Sequence, residues 1–388
     1  MSRSHEIIVI EDLQALRGLE SEWNELAPPK EVEPWQSFSW MEAAATAYSE
    51  NHLLRVITVR HNGRLTAIAP MVLKPSEQPL RPLRLDFLGG EELKEPNRFI
   101  ARDGASLNLL VNVIVSQRVY PIRLSRVPGD AETVNYLKSK FKDAGWMTAT
   151  LSMPYPYVEL KGNPIKSSLR EDLRRARRKA EALGEVRMET SAAASDEELL
   201  KQLETAFRIE ASGWKGRNGT AIASSESRRR FFERYACSAW KDGTLRLSFL
   251  LINNTPVAVQ YAIESANAYW LLNVGYDEQY QECSPGKLLL GESIKDAAKS
   301  GLVQYNFLGK EEPWTKRWTT KAQDCVVLAP CRPNLHGLIA LISDALYLAK
   351  KRMNERAEGE VRRPGLAAAL KFRMSRKLRG ANSPPKLA

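Results

Sequence analysis

The chain has 388 residues, of which 43% are hydrophobic and 8% aromatic. It can bury sizeable cores in two or three domains and is too apolar for disorder throughout. Lys and Arg number 57 against 46 Asp and Glu, a net charge of +11, which points to an anionic partner, while only four histidines argue against chemistry built on histidine clusters.

In chain order, residues 6–10 predict a strand and Leu13 to Leu26 a helix with Leu16, Leu19, Trp23 and Leu26 on one face. Trp35 to Tyr48 predicts a second helix. His52 to Val59 and Leu65 to Leu73 are strand-like, joined through His61-Asn62-Gly63, a hairpin signal. Ile122 to Val127 and Met147 to Leu151 predict strands around a helix from Glu132 to Ala144. Pro154 to Pro164, with three prolines and Gly162, reads as a boundary.

A basic helix follows from Leu169 to Leu183, introduced by Ser168 and Glu171 in capping-box spacing. Two more helices are expected at Glu197 to Ser212 and Arg228 to Trp240. A meander comes next: Thr244 to Ile252, an Asn253-Asn254 turn, Pro256 to Ile263, and Asn267 to Val274. A helix from Pro285 to Lys299 is closed by Gly301, and Leu302 to Leu308 and Asp324 to Leu328 read as strands. The two halves echo each other weakly: NGRLTAIAPM at 62–71 resembles NNTPVAVQYA at 253–262, and FLGGEE at 87–92 resembles FLGKEE at 307–312.

Absences narrow the chemistry. There is no G-x-x-x-x-G-K-[ST], G-x-G-x-x-G, G-x-S-x-G or H-E-x-x-H, so P-loop, dinucleotide, serine-hydrolase and zincin readings fall. Cys237, Cys283, Cys325 and Cys331 show no C-x-x-C spacing and read as reduced thiols in a cytoplasmic protein, with no metal site. The N-terminus lacks the apolar core of a signal peptide, and no run reaches the 18 apolar residues of a membrane span.

The tract 267–309 carries the most information. Ser284 suits an N-cap, Pro285 the first helical turn, and Gly286 a close ligand approach. With Lys287, the free N–H groups of that helix end favour a phosphate; an ordinary capped helix is the plainer alternative.

The run EASGWKG (210–216), the tract NVGYDEQYQECSPGKLLLGESIKDAAKSGLVQYNFLG (273–309) and the basic helix resemble the acetyltransferase-like proteins of bacterial cellulose and exopolysaccharide clusters (CelD-like). These are members of the GNAT superfamily, related to Fem peptidyltransferases, which pair two GNAT units in one chain. Asn306 stands where that family commonly shows aspartate, and Lys310 replaces a frequent second glycine. The resemblance implies an α/β (α+β) fold of two tandem units, each a mixed, mostly antiparallel sheet flanked by helices, at 1–160 and 165–330, with an amphipathic helix and basic tail at 331–388. It also implies an N-acyltransferase using acetyl-CoA or another acyl-CoA as donor.

On that reading the thioester lies along Asn267 to Val274, with Asn273 and Val274 in contact, and the pyrophosphate lies at Ser284, Gly286, Lys287 and Leu288. Asp277, Glu264 and Glu210 are candidate bases, each also readable as an ordinary solvated or loop carboxylate. Tyr276 is a candidate donor to the leaving thiolate. Arg170 and Arg174 would face an anionic acceptor such as a lipid-linked or diphosphate-linked amino sugar, and Trp214 and Lys215 would shape its pocket. The alternatives are a Fem-like transferase using aminoacyl-tRNA, or a non-catalytic GNAT scaffold at the membrane.

Leu335, Leu338, Ile339, Ile342, Leu346 and Ala349 stripe a last helix. Residues 351–388 hold eleven basic and three acidic side chains, with a second amphipathic piece at Leu366 to Leu378. Peripheral contact with anionic lipid through 335–380, on the inner face of the cytoplasmic membrane, is one reading. A helix packed on the body with a solvated tail is the other. A cyclic dinucleotide at Arg362-Arg363 is a further option, and nucleic acid is disfavoured because Phe372 is the tail's lone aromatic. The net charge is thus concentrated in one helix and one tail.

Overall fold

The computed structural model describes residues 5–357 apart from 49, 51, 77, 117–120, 130–131, 144, 147–149, 153 and 163. It is a mixed α/β structure in which largely antiparallel sheets are flanked by helices. The two hairpins expected from sequence are both present. Val56–His61 pairs with Arg64–Ala69 across Asn62 and Gly63, and Leu245–Ile252 pairs with Thr255–Ser265 across Asn253 and Asn254. All four turn residues have positive φ, the conformation that Asn and Gly tolerate at a two-residue hairpin loop. The echoed tracts thus occupy matching turns.

Among the described residues the strands form three sheets. One runs His5–Ile10, Val56–His61, Arg64–Ala69, Ile100–Ala101. A six-stranded sheet runs Leu53–Leu54, Met71–Pro75, Leu83–Phe87, Ile122–Pro128, Cys325–Leu328, Thr150–Ser152. The seven-stranded sheet runs Val186–Thr190, Leu245–Ile252, Thr255–Ser265, Ala268–Tyr276, Gln304–Asn306, Tyr155–Glu159, Ala322–Gln323.

Two strands cross between the halves. Tyr155–Glu159, inside the proline-rich stretch read as a boundary, pairs antiparallel with Gln304–Asn306. Cys325–Leu328 pairs with Ile122–Pro128 of the first half. Proline is tolerated here because Pro156 needs no N–H donor to accept from Phe307 N.

Other local expectations are corrected. The helix drawn from Leu13 to Leu26 is two pieces, Leu13–Arg17 and Glu20–Leu26, broken at Gly18. The basic helix spans Ser167–Glu181, and its N-cap position is Lys166, with no side-chain cap. The capping box of Ser168 and Glu171 does not form: Ser168 lies inside the first turn, and Glu171 instead accepts from Arg174 at 2.9 Å. A helix at Gly104–Ser116 has no counterpart in the reading above, because its near-continuous apolar run shows no helical period.

One core is shared by both halves. Trp35 meets Trp270 edge-on at 5.0 Å, and Trp40 packs against Phe231 and Tyr235. Beside them Glu42, 6% exposed at its side chain, accepts from Arg17 at 2.8 Å and pairs with Arg234 of the second half. Burial alone would raise the Glu42 carboxyl; hydrogen bonds from Arg234 and Arg17 outweigh it and hold the group below its ordinary value. Glu42→Ala removes a buried acceptor from Arg17 and Arg234, whose side chains are 47% and 41% exposed and can rehydrate, and is expected to destabilise the protein by about 1–2 kcal/mol. Arg230→Ala, which breaks the exposed pairs with Glu50 and Glu226, should leave stability nearly unchanged. Urea unfolding of both variants checks the ranking.

Candidate active site

The Ala268–Tyr276 strand begins as an ordinary member of its sheet. On one side it pairs antiparallel with Thr255–Ser265. On the other it pairs parallel with Gln304–Asn306, but only through Ala268, Tyr269 and Trp270. Beyond Trp270 that edge has no strand partner among the described residues. Tyr261 opposes Asn273 while Ala262 opposes Leu271, so Leu272 is an extra, bulged residue at the point where the edge opens. A bulge re-aims neighbouring backbone groups and sharpens the twist. The open edge then runs into a turn at Glu278–Cys283 and the helix Pro285–Lys299.

Two residues of the 210–216 run, Glu210 and Lys215, meet the sequence-remote Asn273 against this edge. Glu210 lies near the end of the Asp196–Ala211 helix, whose N-cap is Ser195. Its side chain is 3% exposed at the Lys215 contact. Its Oε2 accepts from Ile222 N at 2.8 Å and its Oε1 from Asn273 Nδ2 at 3.1 Å. Lys215 Nζ lies 3.2 Å from Oε1, donates to Val274 O at 2.8 Å, and also donates to Asn273 Oδ1. The ammonium therefore sits on the open edge itself. Burial pushes its pKa down, opposed by the Glu210 charge.

The approach is close because residue 275 is glycine: a Cβ there would lie 2.5 Å from the Glu210 Cα. A small enclosed space beside the cluster is lined by Phe207, Ile222, Val259 and Tyr261.

The helix end carries the second part of the site. Ser284 occupies the N-cap position, but in a left-handed conformation and with no side-chain cap, contrary to its expected role. Pro285 has no N–H, and Lys287 N and Leu288 N donate to Ser284 O at 3.0 and 3.2 Å, so Gly286 supplies the first-turn N–H that has no backbone acceptor among the described residues. Gly286 faces Tyr276: a Cβ on it would stand 3.3 Å from the Tyr276 Cδ1. Lys287 is pushed below its ordinary pKa by burial and by Arg317 and Arg175, against the pull of Asp172. Asp172 is already engaged by Arg317 at 2.7 Å and by Arg175. A helix N-terminus among partly compensated cations is an anion site on physical grounds.

From there a groove of about 660 Å³ runs between the basic helix and Pro285–Lys299, lined by Arg170, Arg174, Arg178, Leu288 and Lys295 among others. Arg174 is paired with Glu171. Leu288 itself is buried and belongs to the helix core.

The remaining candidates separate. Asp277 stays beside the site, but its Oδ1 accepts from Gln279 N at 3.0 Å and caps the turn. Glu264 is not brought to the site. It pairs opposite Tyr269, roughly 20 Å along the strand from Tyr276 at about 3.3 Å per residue, and bonds Arg246 at 2.8 Å. Trp214 opens the short Trp214–Arg217 turn; its side chain lies outside the described residues. Cys283 is buried, its thiol raised by burial, and its Sγ donates to Tyr280 O at 3.1 Å, so it behaves as a packed thiol.

Asn306 is fully buried, and neither carboxamide atom has a hydrogen-bond partner. An ionised aspartate there would bury an unpaired charge, which physically favours the neutral side chain. Sequence reading missed Gly275 and the group Asp172, Arg175 and Arg317. A glycine inside a strand pattern was the available signal for the first.

Residues 167–316 match the model for the acetyltransferase (GNAT) domain, which contains the open edge, Glu210, Lys215 and the helix end. Solved structures with a similar fold include L-PGS from Bacillus licheniformis, with 11% identity and a TM-score of 0.53 over 87% of this chain and 98% of that one. FemX is similar at 12% identity and TM-score 0.53, over 83% and 96%. At such identities these likenesses establish the fold. No curated protein matches the chain.

Proposed function

We propose that the protein is an acyl-CoA-dependent N-acyltransferase, its donor acetyl-CoA or a related thioester. The observation that carries this is the opening of the Ala268–Tyr276 edge beyond its bulge, leading straight into a glycine-bearing helix end ringed by Lys287, Arg175 and Arg317. An extended thioester arm needs backbone groups along one edge, and its pyrophosphate needs N–H groups and cations at the end. Both are present, in that order.

Lys215 lies at the open edge, where an ammonium stabilises negative charge developing on the acyl oxygen. Glu210 holds Lys215 in place and balances its charge. Tyr276, against Gly286, stands between edge and helix end, suited to donate to the departing thiolate. The amine reaches the acyl carbon from the Lys215 side. Its proton passes to water or a carboxylate, and Asp277 is already committed to its cap.

An acceptor bearing phosphate groups, such as a diphosphate-linked amino sugar of exopolysaccharide or envelope synthesis, fits the basic groove with Arg170 and Arg174. A Fem-like use of aminoacyl-tRNA is the competing reading of the same fold.

Isothermal titration with acetyl-CoA tests the donor. Micromolar binding is expected, and Gly286→Glu, which places a carboxylate at the anion end, should weaken it at least 100-fold. Binding absent at millimolar ligand overturns the donor assignment and favours aminoacyl-tRNA. Unchanged affinity in the variant relocates the pyrophosphate.

A further inference from the structure

The last helix, Leu335–Ala357, docks on the body by a mixed side on which Gly337, Ala340 and Ser343 are buried and Leu341, Asp344 and Leu348 half-buried. Arg84, only 2% exposed, donates to Ala340 O at 3.1 Å and to Asp344 at 2.7 Å. Ser343 Oγ accepts from Leu80 N at 3.4 Å. These contacts fix the rotation of the helix and turn its apolar stripe outward.

Leu335 is 69% exposed, Leu338 53%, Ile342 45%, Leu346 47% and Met353 69%. At about 100° per residue these side chains, with Ala345 and Ala349, fall within roughly 100° of arc. The same wheel places Lys350 on one flank of the stripe and Arg352 on the other. The helix therefore carries, opposite its docked side, a second apolar stripe that faces outward. The expectation of a stripe is met, and it is not used for packing on the body.

We propose that this face lies in the headgroup boundary of an anionic lipid bilayer, with its apolar stripe inserted and Lys350 and Arg352 reaching to phosphates. Charge identifies the occupant. The chain from 351 to 388 carries eleven basic and three acidic residues, so the stripe continues into a strongly cationic segment. That combination suits anionic lipid, whereas two copies meeting on this face would bring like charges together. Among the described residues no helix is long and apolar enough to cross a membrane, which leaves surface attachment as the mode.

The test is flotation of the full-length chain with vesicles of phosphatidylcholine, with and without about one-third phosphatidylglycerol. The wild type should float with the anionic vesicles and stay behind with the neutral ones. Leu338→Glu/Ile342→Glu, at positions 53% and 45% exposed, should melt close to the wild type yet lose at least tenfold in vesicle partitioning. Failure of the wild type to float overturns the proposal. So does equal flotation of the variant, which would assign attachment to the tail alone. A wild-type dimer that the variant converts to monomer, without vesicle binding, assigns the face to a second copy and also overturns it.

Discussion

Glu210→Ala is expected to lower the free energy of unfolding by about 3–5 kcal/mol, the usual cost of removing one partner from a buried ion pair. Three interactions end together: the bonds from Ile222 N and Asn273, and the ion pair with Lys215. The Ile222 N–H is left without an acceptor in a buried place, and a cavity forms beside Phe207. Lys215→Met leaves the opposite problem, a carboxylate that is 3% exposed and short of its cation. The double variant Glu210→Gln/Lys215→Met carries no net charge at the site, and its amide oxygen can still accept from Ile222 N. It should therefore cost about 1–3 kcal/mol less than the sum of Glu210→Gln and Lys215→Met singly. Urea unfolding of the four proteins gives the cycle, and additivity within about 0.5 kcal/mol would sink the coupling. Because the Glu210 charge is what holds the Lys215 pKa up against burial, Glu210→Gln alone should let Lys215 lose its proton at lower pH than in the parent.

Gly275→Ala is the second large effect. Its added Cβ would sit 2.5 Å from the Glu210 Cα, 2.9 Å from its Cβ and 3.0 Å from its N. Helix backbone, unlike a side-chain tip, cannot rotate aside, so the Asp196–Ala211 helix must move off the strand. A cost of about 1–3 kcal/mol or more follows from overpacking. The displacement also carries Glu210 away from Asn273, so under the acyltransferase reading kcat should fall more than 100-fold. Gly291→Ala is the control. There the new methyl meets only the terminal carbons of Leu173, at 2.9 and 3.0 Å. Alanine is also favoured over glycine in a helix by about 1 kcal/mol, so its net effect on stability should be small. Thermal melting that ranks Gly291→Ala as the worse variant would contradict this placement of the strand against the helix.

Much of the architecture around the site is written in short-range pattern. The hairpin turns at Asn62-Gly63 and Asn253-Asn254 follow from residues that accept positive φ. The Pro285–Lys299 helix follows from a proline in its first turn and glycine after its end. The meander of three strands in the second half and the positions of Asn273, Gly286 and Lys287 could be read the same way. Where local rules compete, the reading slipped. Ser168 and Glu171 have capping-box spacing, but the helix starts one residue earlier, and Glu171 has an arginine one turn away. Pro154 to Pro164 reads as a boundary because prolines punctuate loops, yet Pro156 sits in a strand paired on both sides, where it accepts from Phe307 N.

By itself, then, the sequence determined the long helices and the three-stranded meander of the second half, the two hairpin turns, and the concentration of positive charge in one helix and one tail, but not the strand Val186–Thr190 or the short helix Pro313–Trp318. Tertiary structure decided which side chains meet. Glu210, Lys215 and Asn273 are up to 63 residues apart, and no periodicity encodes their convergence, which depends on a helix packed against Gly275. It also removed Glu264 from the site, since distance along a strand, not chemistry, separates it from Tyr276. Finally, it decided which way the last helix faces. Helical spacing defines a stripe but not its direction, and here the bonds of buried Arg84 to Ala340 and Asp344 accompany a rotation that half-buries Leu341 and Leu348 and leaves Leu335, Leu338 and Leu346 outside.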